Sequence, residues 1–165
     1  MPSRSTMTTP PKILLVTGSR RWDDRATVDT AISEALNVLG VPAGRVALVW
    51  GGAAGLDQMA AAMAKRRGLL VPAPHLPDWR QHGRQAGMLR NLAMVEFVVG
   101  HSDPARDAVC AAFAQTWDSG TGHCARAARR AGIRTRDYGV DTRAQARDRG
   151  DAVRPPGSRS VRPAG

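Results

Sequence analysis

The stretch "ILLVTGSRRWDDRATVDTAISEALNVLG", residues 13–40, changes its periodicity at a single turn. Residues 13–16 are a continuous apolar run ending at Gly18, the pattern of a short strand buried on both faces. After Asp23 and Asp24, the apolar positions are Val28, Ala31, Ile32, Ala35, Leu36 and Leu39, which fall on one side of a helix. The aspartates can cap the start of that helix, and Gly40 stops it. A doubly buried strand followed at once by a helix is the repeating unit of a parallel sheet with helices on its faces.

The unit recurs along the chain. Residues 46–50 form a second buried strand, closed by Gly51 and Gly52. Leu56, Met59, Ala60, Met63 and Ala64 mark the inner face of a second helix, which stops at Gly68. Residues 69–71 read as a third strand, broken by Pro72 and Pro74. The polar loop "HLPDWRQHGRQAG" then leads to a helix near residues 88–94, and the apolar run at 95–100 reads as a fourth strand. Residues 101–117 lack a clear period, and their alanines suggest a short helix around 108–114. Cys124, Ala127, Ala128 and Ala131 line the next helix, ended by Gly132, and residues 133–138 read as a last strand. The expected fold class is α/β, a doubly wound parallel sheet in three layers.

The 165 residues suit one domain. Residues 1–11 read as a loose leader, 12–140 as the folded domain and 141–165 as a disordered tail in which aliphatic residues nearly vanish. No apolar run reaches the length of a membrane span or forms a signal-peptide core, so a cytoplasmic location is expected. Cys110 and Cys124 have neither metal-ligand nor redox spacing. The histidines have no cluster of cysteines or carboxylates around them, so neither a metal nor a cofactor is expected. The net charge of +10 suits phosphate-bearing small molecules and nucleic acid alike. The tail contributes six arginines against three aspartates.

Three glycine-bearing turns carry the chemistry: Gly18-Ser19-Arg20-Arg21, Gly51-Gly52-Ala53-Ala54-Gly55 and Ser119-Gly120-Thr121-Gly122. Glycine lets the backbone approach an anion, and helix N-termini offer unpaired N–H groups with a partial positive charge. Ser19, Ser119 and Thr121 add hydroxyls, and the arginines add charge. Ligands of such sheets bind at the carboxyl ends of the strands, where these turns lie. Asp57 opens a helix after the second turn and is either a helix-start carboxylate or a ligand contact. Arg90 and Asn91 together offer a two-point fork for phosphate and a paired donor and acceptor. His82 and His123 sit beside glycines in candidate site loops. Trp22 and Trp79 either stack on a base or pack on the sheet edge.

Four blocks, "VTGSRRWDD", "GGAAGLDQMAAAMA", "PDWRQHGRQAGMLRNLAM" and "SGTGHCARAARRAGI", resemble the YspA-like, cpYpsA-related branch of the SLOG superfamily, in this order over residues 12–138. The resemblance implies a Rossmann-like domain that holds a nucleotide or nucleotide-derived ligand by its glycine turns, often as a dimer. Wider relatives include the lonely-guy phosphoribohydrolases and the DNA-processing protein A. The phosphoribohydrolases use an arginine, matched by Arg90, and a glutamate in a GTxxE pattern. Here Cys124 stands where that glutamate would be, and Asp57 is the substitute acid to consider. Three functions follow as expectations. The first is a nucleotide sensor or binding module, the second an N-glycosidic hydrolase or transferase using Arg90 and Asp57, and the third a DNA-binding protein.

Overall fold

A computed structural model describes residues 9–115 and 120–139. Its centre is a four-stranded parallel sheet in the order β2-β1-β3-β4, built from β1 (Lys12–Gly18), β2 (Val46–Val49), β3 (Ala108–Phe113) and β4 (Arg134–Asp137). Helices α1 (Arg25–Leu39), α2 (Leu56–Arg66), α3 (Trp79–His82), α4 (Ala86–His101) and α5 (Gly120–Arg130) connect them. The fold is the expected Rossmann-like α/β class.

The pleat of β1 sorts the layers. Leu14 and Val16 join one core cluster with residues of α1 and α2, while Ile13 and Leu15 join another with residues of α4 and α5. Alternate side chains thus enter opposite faces, which is why the strand must be apolar throughout. Helix α1 follows as read: Asp24 caps it by accepting the Thr27 N–H at 3.1 Å, and Gly40 ends it in the left-handed conformation.

Three expectations need correction. The run at residues 95–100 is not a strand but the second half of α4. Asn91, Met94, Val95 and Val98 are its buried positions, at helical spacing, and Phe97 and Val99 are exposed. Apolar residues on the outer face hide the helical period and imitate a buried strand. Conversely, the alanine-rich run at 108–114 contains β3, all six residues of which are buried. It pairs with β1 on one side and β4 on the other; burial between two neighbours overrides the helix preference of alanine. Residues 69–71 contribute only a parallel bridge from Leu70 to Ala47, at the edge beyond β2.

Because β2 and β3 flank β1 on opposite sides, strand order reverses between β1 and β3. A crevice opens there at the carboxyl ends of the strands. Of the expected leader and tail, residues 1–8 and 140–165 lie outside the described part.

Candidate functional site

The crevice is a cleft of about 800 Å³, within the range of small-molecule sites. Its lining comes from the β1–α1 turn, the start of α2, the first half of α4, the end of β3 and the first turns of α5. Arg20, Arg21, Arg84, Arg90 and Arg126 all line it, and Asp57 is the one carboxylate among the described residues that does.

The β1–α1 turn is held from several directions. Ser19 donates its backbone N–H to the Phe113 carbonyl, and its own carbonyl accepts from the N–H groups of Trp22 and Leu56. The Ser19 hydroxyl donates to Gln115 Oε1 at 3.0 Å and accepts the Arg21 N–H at 3.1 Å. Gln115 Nε2 in turn donates to the Arg21 carbonyl. The side chain read as a phosphate donor therefore also locks the loop carrying Arg20 and Arg21. Gly18 is required for packing, since a Cβ there would run into Leu56.

The second glycine turn works beneath the cleft. Gly51 leaves room for the Arg90 guanidinium, whose Nη1 donates to the Gly51 carbonyl. The same nitrogen lies 3.5 Å from the His75 carbonyl, and Nε donates to Asn91 Oδ1 at 3.0 Å. Asn91 passes the link on, donating from Nδ2 to the Gly120 carbonyl at 3.2 Å. Arg90 and Asn91 thus tie the second turn to the start of α5. Gly52 accepts from Gln58, and Gly55 has a positive φ with the Arg20 backbone pressed against its α-carbon. Of this turn, Ala53 reaches the cleft, whereas Gly51, Gly52 and Gly55 do not line it.

Asp57 is only 5% exposed and accepts the Ala53 N–H at 3.2 Å. Burial raises its pKa above the ordinary carboxylate value; the Ala53 N–H, Arg90, the Gly51 N–H and Arg20 oppose that rise. Burial lowers the Arg90 pKa, opposed by Asp57.

Ser119 lies outside the described residues. Gly120, Thr121 and Gly122 belong to the opening of α5 rather than to a turn before it. Gly120 and Thr121 line the cleft, and Gly122 does not. His123 also lines it, and its Nδ1 is buried with no hydrogen-bond partner. Cys124 lies beneath the floor in the apolar cluster, bonded to the hydroxyl of Thr17, and burial pushes its thiol to about 11. His82 is exposed on α3, away from the cleft lining. Trp22 is a core residue, edge-on to Phe113 at 5.3 Å, with its indole N–H on the Asp24 carbonyl.

Residues 12–82 match the model of the YspA, cpYpsA-related SLOG family. The Gene 61 protein of Mycobacterium phage D29 is 41% identical over 130 residues, which cover 76% of this chain and 95% of that protein. The chain belongs to the YspA, cpYpsA-related SLOG family. No solved structure matches it. In this SLOG chain, sequence reasoning missed Thr17, Arg84, Gly87, Met88, Met94, Gln115 and Arg126 as lining residues. Gln115 follows β3, so misreading β3 hid it; on the α5 wall Gly120, Thr121 and His123 were legible beside the glycine turn, and Arg126, one helical turn beyond His123, was not. No helix of the described residues is long and apolar enough to cross a membrane, and no group of three or more metal-binding side chains occurs among them.

Proposed function

We propose that this SLOG chain binds a nucleotide or nucleotide-derived phosphorylated ligand in the β1/β3 cleft and acts as a sensor or binding module. The observation that carries the reading is the charge of the cleft: among the described residues, five arginines around one buried carboxylate. Guanidinium groups offer forked donors that suit phosphate oxygens. Arg20 and Arg21 stand on a braced loop, so binding does not have to order that backbone. The opening turns of α5 add backbone N–H groups and the dipole's positive end. The unpartnered Nδ1 of His123 is a further polar atom that a ligand would satisfy.

Thermal melting of the full chain with AMP, GMP, CMP, ADP-ribose, NAD and inorganic phosphate tests this. A ligand at 100 times its dissociation constant stabilises by about 2.7 kcal/mol, and Arg90→Ala abolishes the shift. No shift with any of these ligands would refute the reading.

A second reading rests on Asp57. A cleft acid that burial keeps protonated to higher pH can serve as a general acid. In N-glycosidic hydrolysis the C1′–N bond breaks, the base leaves with a proton and water supplies the hydroxyl at C1′. Arg90 would hold the phosphate and Asp57 or His123 would donate to the base. Release of free base from AMP, lost in Asp57→Asn, is the expected result for a hydrolase; AMP that binds and stays intact leaves the sensor.

A further inference from the structure

We propose that Trp79 and Met88 form the shelf on which the aromatic base of the ligand lies, at the mouth of the cleft. The inference rests on the nucleotide reading above and adds the ligand's direction: phosphate inward, base outward.

Trp22 and Trp50 are buried, and each donates its indole N–H to a backbone carbonyl. Trp79, by contrast, is 51% exposed. It opens α3, a single turn held by Asp78, whose carboxylate accepts the Gln81 N–H at 3.1 Å. The ring stands beside Gly87: a methyl group there would lie 3.7 Å from Cη2, at van der Waals distance. Gly87 and Met88 both line the cleft, and Met88 is 46% exposed. Trp79 itself is not among the lining residues, but the edge of its ring lies against Gly87, which is, and Gly87 is followed at the cleft wall by the polarizable thioether of Met88, beside a site otherwise rich in arginine. Aromatic bases stack on such surfaces whatever their hydrogen-bond pattern. Arg20 and Arg90 lie near enough to buried Asp57 to interact with it, which places two of the cleft arginines at the inner end. A ligand with a charged end and a flat apolar end fits this polarity, whereas a sugar phosphate satisfies only half of it.

Titration calorimetry of the full chain with AMP, ribose 5-phosphate and inorganic phosphate separates the two parts. Wild type is expected to bind AMP about tenfold or more tightly than ribose 5-phosphate. Trp79→Ala is expected to bring AMP down to the ribose 5-phosphate level while leaving ribose 5-phosphate unchanged. Trp79→Phe keeps most of the AMP affinity but loses the quenching of tryptophan fluorescence by AMP. Equal loss for both ligands in Trp79→Ala, or no loss for either, removes the shelf; if Arg90→Ala still abolishes binding, the nucleotide reading stands without it. A wild-type dimer that Trp79→Ala splits, with AMP affinity intact, would make the surface a contact between copies and overturn the proposal. Failure of wild type to bind any of the three overturns the shelf, and the nucleotide reading falls with it when GMP, CMP, ADP-ribose and NAD also leave the melt unshifted.

Discussion

Asp57 holds the second glycine turn through the Ala53 N–H while standing in a wall of the cleft. Its pKa is higher in the folded chain than the ordinary 3.8, with burial as the largest cause. An acid raised in this direction binds its proton more tightly when folded, so its contribution to stability is lost as pH rises from the unfolded pKa through the folded one. Asp57→Asn removes that titration, and its amide oxygen still accepts from Ala53. The variant is therefore expected to gain melting temperature relative to wild type as pH rises above about 4, the ordinary carboxylate value; a difference that stays constant as pH rises would contradict the burial argument. Asp57, Arg90 and the Ser19–Arg20 turn, which line the cleft, stood out in the sequence because they adjoin glycine turns or a marked polar block. Gly51, Gly52 and Gly55 belonged to the same signal, yet they serve the protein's own packing: a glycine that admits a guanidinium and one that admits a phosphate look alike in sequence.

The elements show where periodicity informs and where it misleads. β1, α1, β2 and α2 were readable because each has one pattern and a glycine or cap at its ends. α4 and β3 exchanged identities because the local signals point the wrong way in both. α4 carries valine and phenylalanine on its outer face, and β3 is built from small residues that its neighbours bury completely. Phe113, stacked on Tyr138 and edge-on to Trp22, is the bulky exception at the end of β3. The alanines of β3 leave room for the flanking helices, and Ala112 is fully buried. Ala112→Leu is thus expected to destabilise by about 1–3 kcal/mol, the usual cost of overpacking. Denaturant unfolding measures it, and a neutral outcome would suit an exposed helix at 108–114 instead of a central strand.

Across the whole molecule, the charge divides between a concave site and a terminal segment. The net charge is +10, of which residues 140–165 hold six arginines against three aspartates. The cleft gathers five arginines at one edge of the sheet. Nucleic acid and a small phosphorylated ligand are both attracted by such a balance, but they differ in how many phosphates are neutralised. A protein contacting six to ten phosphates loses about 10³–10⁵ in affinity between roughly 50 and 200 mM salt, because each contact releases counterions. A nucleotide with one or two phosphates held among Arg20, Arg90 and the start of α5 should lose far less. Every described residue lining the cleft lies between Thr17 and Arg126, so a chain ending at Gly139 is expected to bind AMP as the full chain does, with the same shallow salt response. Loss of AMP binding on that truncation would make the C-terminal residues part of the site. Steep salt-dependent DNA binding, lost with the same residues while no nucleotide shifts the melt, would instead assign the charge to nucleic acid and leave the cleft without its proposed ligand.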